Sequence, residues 1–186
     1  YHGNVDGIIN NAGIIQPFVD VNELEMDRIR KVMDINFYGT LYLVKALLPE
    51  LLKRPEAYIM NVSSMGGFLP VPGQSIYGAS KAAVKLMTEG LHSELKDTNV
   101  GVSIVFPGAI RTDISKNSEA EREATADEAA QADKITSPEK AASIMVSGME
   151  KKKYRIMVGN DAKIMDLLYR IMPKKAASII ADKMSN

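Results

Sequence analysis

Ala57-Tyr58-Ile59-Met60-Asn61-Val62-Ser63-Ser64 is an apolar run that ends in two hydroxyls, and after a short gap Ile76-Tyr77-Gly78-Ala79-Ser80-Lys81 follows it. The first stretch reads as a buried strand over residues 57–63, being short, nearly continuous in apolar side chains and bounded by breakers. Residues 65–74 carry Gly66, Gly67, Pro70, Pro72 and Gly73, too many breakers for regular structure. A helix is predicted over 75–97 and another strand over 100–106. Strand, helix, strand in that order points to a parallel sheet.

Outward from this unit the alternation continues. Val5-Asp6-Gly7-Ile8-Ile9-Asn10 reads as a strand closing in turn residues. Asn22 followed by Glu25 resembles a capping box and predicts a helix to about Asn36. A second helical stretch over 37–53 sets Leu41, Val44, Leu47, Leu48 and Leu51 on one face, with Pro49 expected to bend its end. Residues 115–133 are polar, acidic and alanine-rich, the composition of a helix or a solvated lid. Ser137 and Pro138 form an N-cap and N1 pair that starts a helix running to Glu150. A last strand is expected over 154–158, then amphipathic helices over 161–171 and 174–184 separated by Pro173. No repeat or linker divides the chain, so residues 1–186 are expected to form a single domain, α/β with a doubly wound parallel sheet, and residues 115–137 a substrate lid.

Composition narrows the function classes. The 186 residues are 46% hydrophobic and 25% charged, enough for one sizeable core. Lys plus Arg equals Asp plus Glu at 23 each, leaving no excess charge to draw the chain onto nucleic acid or an anionic membrane. There is no cysteine, and two isolated histidines do not make a metal site, so no metal is expected. A cytoplasmic location is the default expectation. Lys151, Lys152 and Lys153 follow a helix end, where cations suit the negative pole of the dipole. The eleven methionines read as adaptable core filling. His92 lies fifteen residues beyond Tyr77 on the same predicted helix, and at ~1.5 Å per residue it is too distant to share a site with it.

The chemistry concentrates on Tyr77, Lys81 and Ser64. Positions four apart share a helix face, so the lysine charge can sit near the phenol. A free tyrosine titrates near ~10, and bringing it to about 7 takes roughly 4 kcal/mol. A unit charge at ~4 Å supplies about that much at an effective dielectric of 20. Taken alone, a tyrosine and a lysine at this spacing describe an ordinary amphipathic helix.

Their company reverses that reading. Asn10-Asn11-Ala12-Gly13, Asn36 within Asp34-Ile35-Asn36-Phe37-Tyr38-Gly39, Asn61-Val62-Ser63-Ser64, Tyr77 to Lys81, and Pro107-Gly108 followed by Thr112 stand in the order of the short-chain dehydrogenase/reductase family, which the chain resembles closely from residue 5 to about 114. The resemblance implies a Rossmann-type sheet in which the strand at Val5 is the fourth. The chain is then expected to be an N-terminally truncated member, lacking roughly 80 residues with the glycine-rich cofactor turn, and to be inactive alone.

The resemblance further implies an oxidoreductase that moves a hydride between NAD or NADP and a carbonyl or secondary alcohol. Tyr77 would be the general acid/base and Lys81 would lower its pKa and hold the nicotinamide ribose. Ser64 would polarise the substrate oxygen, and Asn36 would anchor a water in the proton relay. The thirteen-residue spacing selects Ser64 over Ser63. Asn11, Ala12, Gly13, Pro107, Gly108 and Thr112 would border the cofactor, while Met65 and Gln74 would wall the substrate, as would Gly66, Phe68, Ala109 and the lid. Little charge lies among these walls, which favours a neutral, moderately apolar substrate. Family members pair through the two long helices, so a homodimer or homotetramer is expected. The alternative is a non-catalytic NAD(P)-binding or scaffolding protein of the same fold, in which a member of the set Asn36, Ser64, Tyr77 and Lys81 would be missing; all four are present.

Overall fold

The computed structural model describes residues 3–120 and 135–185. Among these residues four strands form one sheet in the order β1 (Gly7–Asn10), β2 (Ala57–Val62), β3 (Val100–Pro107) and β4 (Arg155–Val158), each neighbouring pair parallel. Parallel neighbours require crossovers, and each one here is helical. Between β1 and β2 run α1 (Met26–Met33), a π-helical turn (Asp34–Tyr38) and α2 (Gly39–Leu51). Between β2 and β3 lie a 3-10 turn (Met65–Gly67) and α3 (Ser75–Glu94). Between β3 and β4 lie α4 (Ile114–Asn117) and α5 (Pro138–Glu150), and α6 (Asn160–Ile171) and α7 (Pro173–Ser185) close the chain.

Both faces of the sheet are covered, which is why β2 and β3 are nearly continuous apolar runs. On one face Ala57, Ile59, Val100 and Val102 pack against Val44 and Leu51 of α2 and Leu91 of α3. Farther along that face Ile104 and Phe106 meet Val84 of α3. On the other face Met60, Val62, Val105, Ile156 and Val158 meet Ala141 of α5. The alternation of side chains along a strand assigns each residue its layer. The result is the doubly wound α/β architecture expected from the sequence.

Some elements differ from their predicted form. The Asn22 and Glu25 pair is not a capping box: α1 begins at Met26, and its N-cap Glu25 makes no side-chain cap bond. The predicted helices to Asn36 and over 37–53 are one helical run with a π-turn inserted at the join. Pro49 is accommodated in the last turn of α2, where it removes one i→i−4 bond and the helix ends two residues later at Leu51. Ser137 caps α5 as expected, its Oγ accepting from Lys140 N at 3.3 Å. Pro173 separates the last two helices by starting α7. Of the candidate lid only the ends are seen, and residues 121–134 lie outside the described residues.

Candidate functional site

The C-terminal ends of the strands bring the motif residues together. β1 and β2 are tied there by buried amides, Asn10 Nδ2 donating to Asn61 Oδ1 at 2.7 Å and Asn61 Nδ2 to Thr88 Oγ1 of α3 at 2.9 Å. Beyond β2, Ser63 Oγ donates to the Lys81 carbonyl at 2.7 Å and is buried, so its hydroxyl serves packing. Ser64 adopts an extended conformation and its Oγ accepts from Gly66 N at 3.0 Å, opening the 3-10 turn. That turn lies on α3. A Cβ at Gly66 would meet Tyr77 Cε1 at 3.3 Å, and one at Gly67 would meet Ser63 Oγ at 2.6 Å and the Lys81 carbonyl at 2.9 Å. The two glycines let the turn that carries Ser64 lie flat against the helix that carries Tyr77 and Lys81.

Asn36 is seated by the π-turn. Gly39 N reaches back five residues to the Asp34 carbonyl, and the extra residue this inserts rotates the helix face. Asn36 is fully buried: Oδ1 accepts from Ile14 N at 2.8 Å, and Nδ2 donates to Ile14 O and to Ser80 Oγ, both at 2.9 Å. The asparagine therefore splices the segment after β1 to α3. Gly13 fits into the same junction, since a Cβ there would meet Lys81 Nζ at 3.0 Å and Asn36 Oδ1 at 3.2 Å.

Lys81 is only 4% exposed, and its Nζ donates to the Val62 carbonyl at 3.1 Å. Burial without a carboxylate partner disfavours the ammonium and lowers its pKa from 10.5 to about 8. Tyr77 is half-buried; burial of its phenol raises its pKa above the usual tyrosine value, and a hydrogen bond with the Ser64 hydroxyl pulls the other way. The expected lowering of the phenol pKa by Lys81 is not met here: burial raises it, while the Lys81 ammonium is bonded to the end of β2. With its pKa raised, Tyr77 is a protonated phenol at neutral pH, a proton donor beside a hydroxyl.

The remaining predicted residues are dispersed. Asn11 and Ala12 are exposed beyond β1, while Pro107 ends β3 and Gly108 follows it, leading to the exposed Thr112. Met65 is half-buried in the 3-10 turn. Gln74 is 4% exposed and turned inward, its Nε2 donating to the Gln16 carbonyl at 2.7 Å, although it also lines a cleft of about 910 Å³ shared with Phe68, Arg155 and Tyr169. Neither Tyr77 nor Ser64 lines that cleft.

Gln16 was not singled out from the sequence. Its Oε1 accepts from Ile76 N at 2.8 Å and Tyr77 N at 3.0 Å, supplying from sixty residues away the cap that α3 lacks locally. No local pattern announces such a cap. His92 stacks on Tyr154 at 4.3 Å between centroids, away from the site. Among the described residues no group of three His, Cys, Asp or Glu could hold a metal, and no helix is long and apolar enough to cross a membrane.

Residues 1–123 match the profile of the family described as short chain dehydrogenase. The SadH protein of Mycobacterium tuberculosis is 34% identical over 187 residues, a match covering 97% of this chain and 67% of that protein. Dehydrogenase/reductase SDR family member 7B of Rattus norvegicus is 40% identical over 115 residues, covering 62% of this chain and 35% of its own length. A short chain dehydrogenase from Burkholderia cenocepacia, solved in complex with NADP, is similar with a TM-score of 0.77 and 26% identity over 95% of this chain and 68% of that one.

Proposed function

The chain belongs to the short-chain dehydrogenase family, and from that premise we propose that it carries the proton-transfer machinery of an NAD(P)-dependent oxidoreductase acting on a carbonyl or secondary alcohol. The observation that carries this reading is the juxtaposition of Ser64 and Tyr77 across Gly66, where a Cβ would lie 3.5 Å from Ser64 Oγ and 3.3 Å from Tyr77 Cε1, one helical turn from a buried Lys81. In carbonyl reduction Tyr77 donates its proton to the substrate oxygen, and in alcohol oxidation it accepts one. Ser64 holds that oxygen by a hydrogen bond. Asn36 keeps α3 and the segment after β1 in register, so that Tyr77 and Gly13 face one site.

The residues present fit a nicotinamide dinucleotide. Lys81 has three donors and a single acceptor among its bonds, the Val62 carbonyl, and Gly13 keeps the space beside its Nζ free of a Cβ. Lys81 would hold the ribose hydroxyls, and Gly13, Gly108 and Thr112 would border the dinucleotide, with Asn11, Ala12 and Pro107 alongside. When bound, the nicotinamide supplies or takes the hydride. The Burkholderia relative was solved with NADP, and a Sphingobium yanoikuyae relative with NADPH. A neutral, moderately apolar substrate belongs to this reading, supported by the uncharged Met65 and Gly66 that directly follow Ser64. Pairing through α2 and α3 is part of the same reading, supported by Tyr42, Leu43 and Leu86, which are 64%, 51% and 70% exposed.

The test is nicotinamide absorbance in the full-length protein with a panel of apolar ketones, charged sugar derivatives and acyl thioesters, against Tyr77→Phe. The substitution keeps the ring and removes the proton, so turnover is expected to fall by about 10²–10⁴. Equal, measurable turnover in both proteins would reject Tyr77 as the proton donor, and no turnover in either would favour a non-catalytic binding protein of the same fold. Preference for the charged substrates would reject the substrate class.

A further inference from the structure

Beyond β3 the chain turns through Gly108 and Ala109 toward Thr112, and the side chain that governs this turn comes from the far side of β4. Asp161, in the first turn of α6, places its carboxylate where a Cβ of Gly108 would be, and also where a Cβ of Gly159 would be. Oδ2 accepts from Ala109 N at 2.7 Å. Gly159, the N-cap of α6, has φ 100°, a conformation that glycine adopts without strain. The carboxylate is thus wedged between two glycines, at a helix N-terminus where negative charge is favoured.

The same segment is also held by backbone bonds. Gly108 N donates to the Val158 carbonyl at 2.9 Å, Thr136 N to the Ala109 carbonyl at 3.3 Å, and Arg111 N to the Thr136 carbonyl at 3.1 Å. Ile110 and Thr136 form a parallel bridge. Residues 108–111 are therefore held by the Val158 carbonyl, by the bridge to Thr136 and by the Asp161 carboxylate.

We infer that Asp161 is a positioning residue of this enzyme, which fixes the Gly108 to Thr112 segment by accepting the Ala109 N–H and so sets the wall against which the nicotinamide end of the cofactor rests. It rests on the proposed function, because only there does Thr112 border the cofactor. Asp161 itself touches neither cofactor nor substrate. Its action is through the backbone of Ala109, and Gly108 and Gly159 are glycines because the carboxylate fills their side-chain positions.

Three measurements on the full-length protein test this. Hydrogen exchange at the Ala109 amide needs no substitution: slow exchange is expected, and exchange at the rate of an open chain would overturn the contact. The second is the Kd for whichever of NADH and NADPH the unsubstituted protein binds more tightly. Asp161→Ala is expected to weaken it roughly tenfold, the loss of one charge-assisted hydrogen bond, with KM for the nucleotide rising while kcat stays within about threefold. Asp161→Asn, which keeps an acceptor oxygen, is expected to restore most of the affinity. An Asp161→Ala Kd within twofold of the unsubstituted protein, or equal losses in the Ala and Asn variants, would overturn the inference, as would binding of neither nucleotide. Full turnover by Tyr77→Phe would remove the catalytic reading while leaving the exchange result standing, so the two failures are distinguishable.

Discussion

Around Asn36 and Lys81 the polar atoms are buried and bonded within the core, whereas from Gly108 to Thr112 the chain runs near solvent and is held by Asp161 and Thr136 from across the fold. The first half of the site is built into the packing of α1, α3 and β2, so its geometry and the stability of the fold are one quantity. The second half is a clasp laid over the end of β3, and its geometry can change with little effect on the core. Substitutions in the two halves should therefore separate into those that unfold the protein and those that spare the fold.

Asn36→Leu is expected to give the largest effect. It leaves Ile14 N–H, the Ile14 carbonyl and the Ser80 hydroxyl without their present partner in a buried junction. The loss of stability should be about 3 kcal/mol, read from the denaturation midpoint at constant m-value. Thr112→Ala, on the exposed half, should change stability by no more than about 0.5 kcal/mol. If both variants unfold at the same denaturant concentration, the division of the site into core and clasp is wrong.

Lys81→Met should move stability the other way. The unfolded lysine titrates at 10.5 and the folded one at about 8. The folded state thus disfavours the charge: the destabilisation is present in full below pH 8 and disappears as pH rises to 10.5. At about 1.36 kcal/mol per unit this amounts to about 3 kcal/mol, from which the lost bond to Val62 removes about 1. Lys81→Met is then expected to be about 2 kcal/mol more stable at pH 7 and to lack the rise in stability between pH 8 and 10.5, while turnover is lost. A variant that retains that rise would show that another group titrates there.

The contrast between the halves also explains what could be read before the structure. Tyr77, Lys81, Ser64 and Asn36 were legible through the order of motifs the chain shares with the family, since their spacing alone describes ordinary helix and turn residues, and strands β2 and β3 announce themselves as apolar runs between breakers. Gln16 and Asp161 do not. Each acts on a backbone N–H, of Tyr77 or of Ala109, that is far away along the chain, and any side chain with an acceptor could have done so. The π-turn was hidden for a related reason: the residues over 34–38 read as an ordinary helix junction, and only the fit of Asn36 against Ile14 and Ser80 accounts for the inserted residue. The capping box failed because local propensity at Asn22 gave way to the path that brings Leu24 into the core.

A smaller effect than those of Asn36→Leu and Lys81→Met concerns what docks α6, the helix that brings Asp161 to the clasp. Arg155 of β4 pairs with Glu89 of α3 and Asp166 of α6, both at 2.9 Å, and lies 4.5 Å from the centre of the Phe106 ring. Each carboxylate keeps a second cation when Arg155 is removed, Lys85 at 2.8 Å for Glu89 and Arg170 at 2.9 Å for Asp166. No charge is stranded, so Arg155→Met, which keeps an apolar stem on Phe106, should lower stability by only about 1 kcal/mol. If the clasp depends on the Asp161 to Ala109 bond rather than on this ion-pair chain, the Arg155→Met protein will still protect the Ala109 amide from exchange. Loss of that protection would mean that α6 is held at Arg155, and that the exposed half of the site is coupled to the core after all.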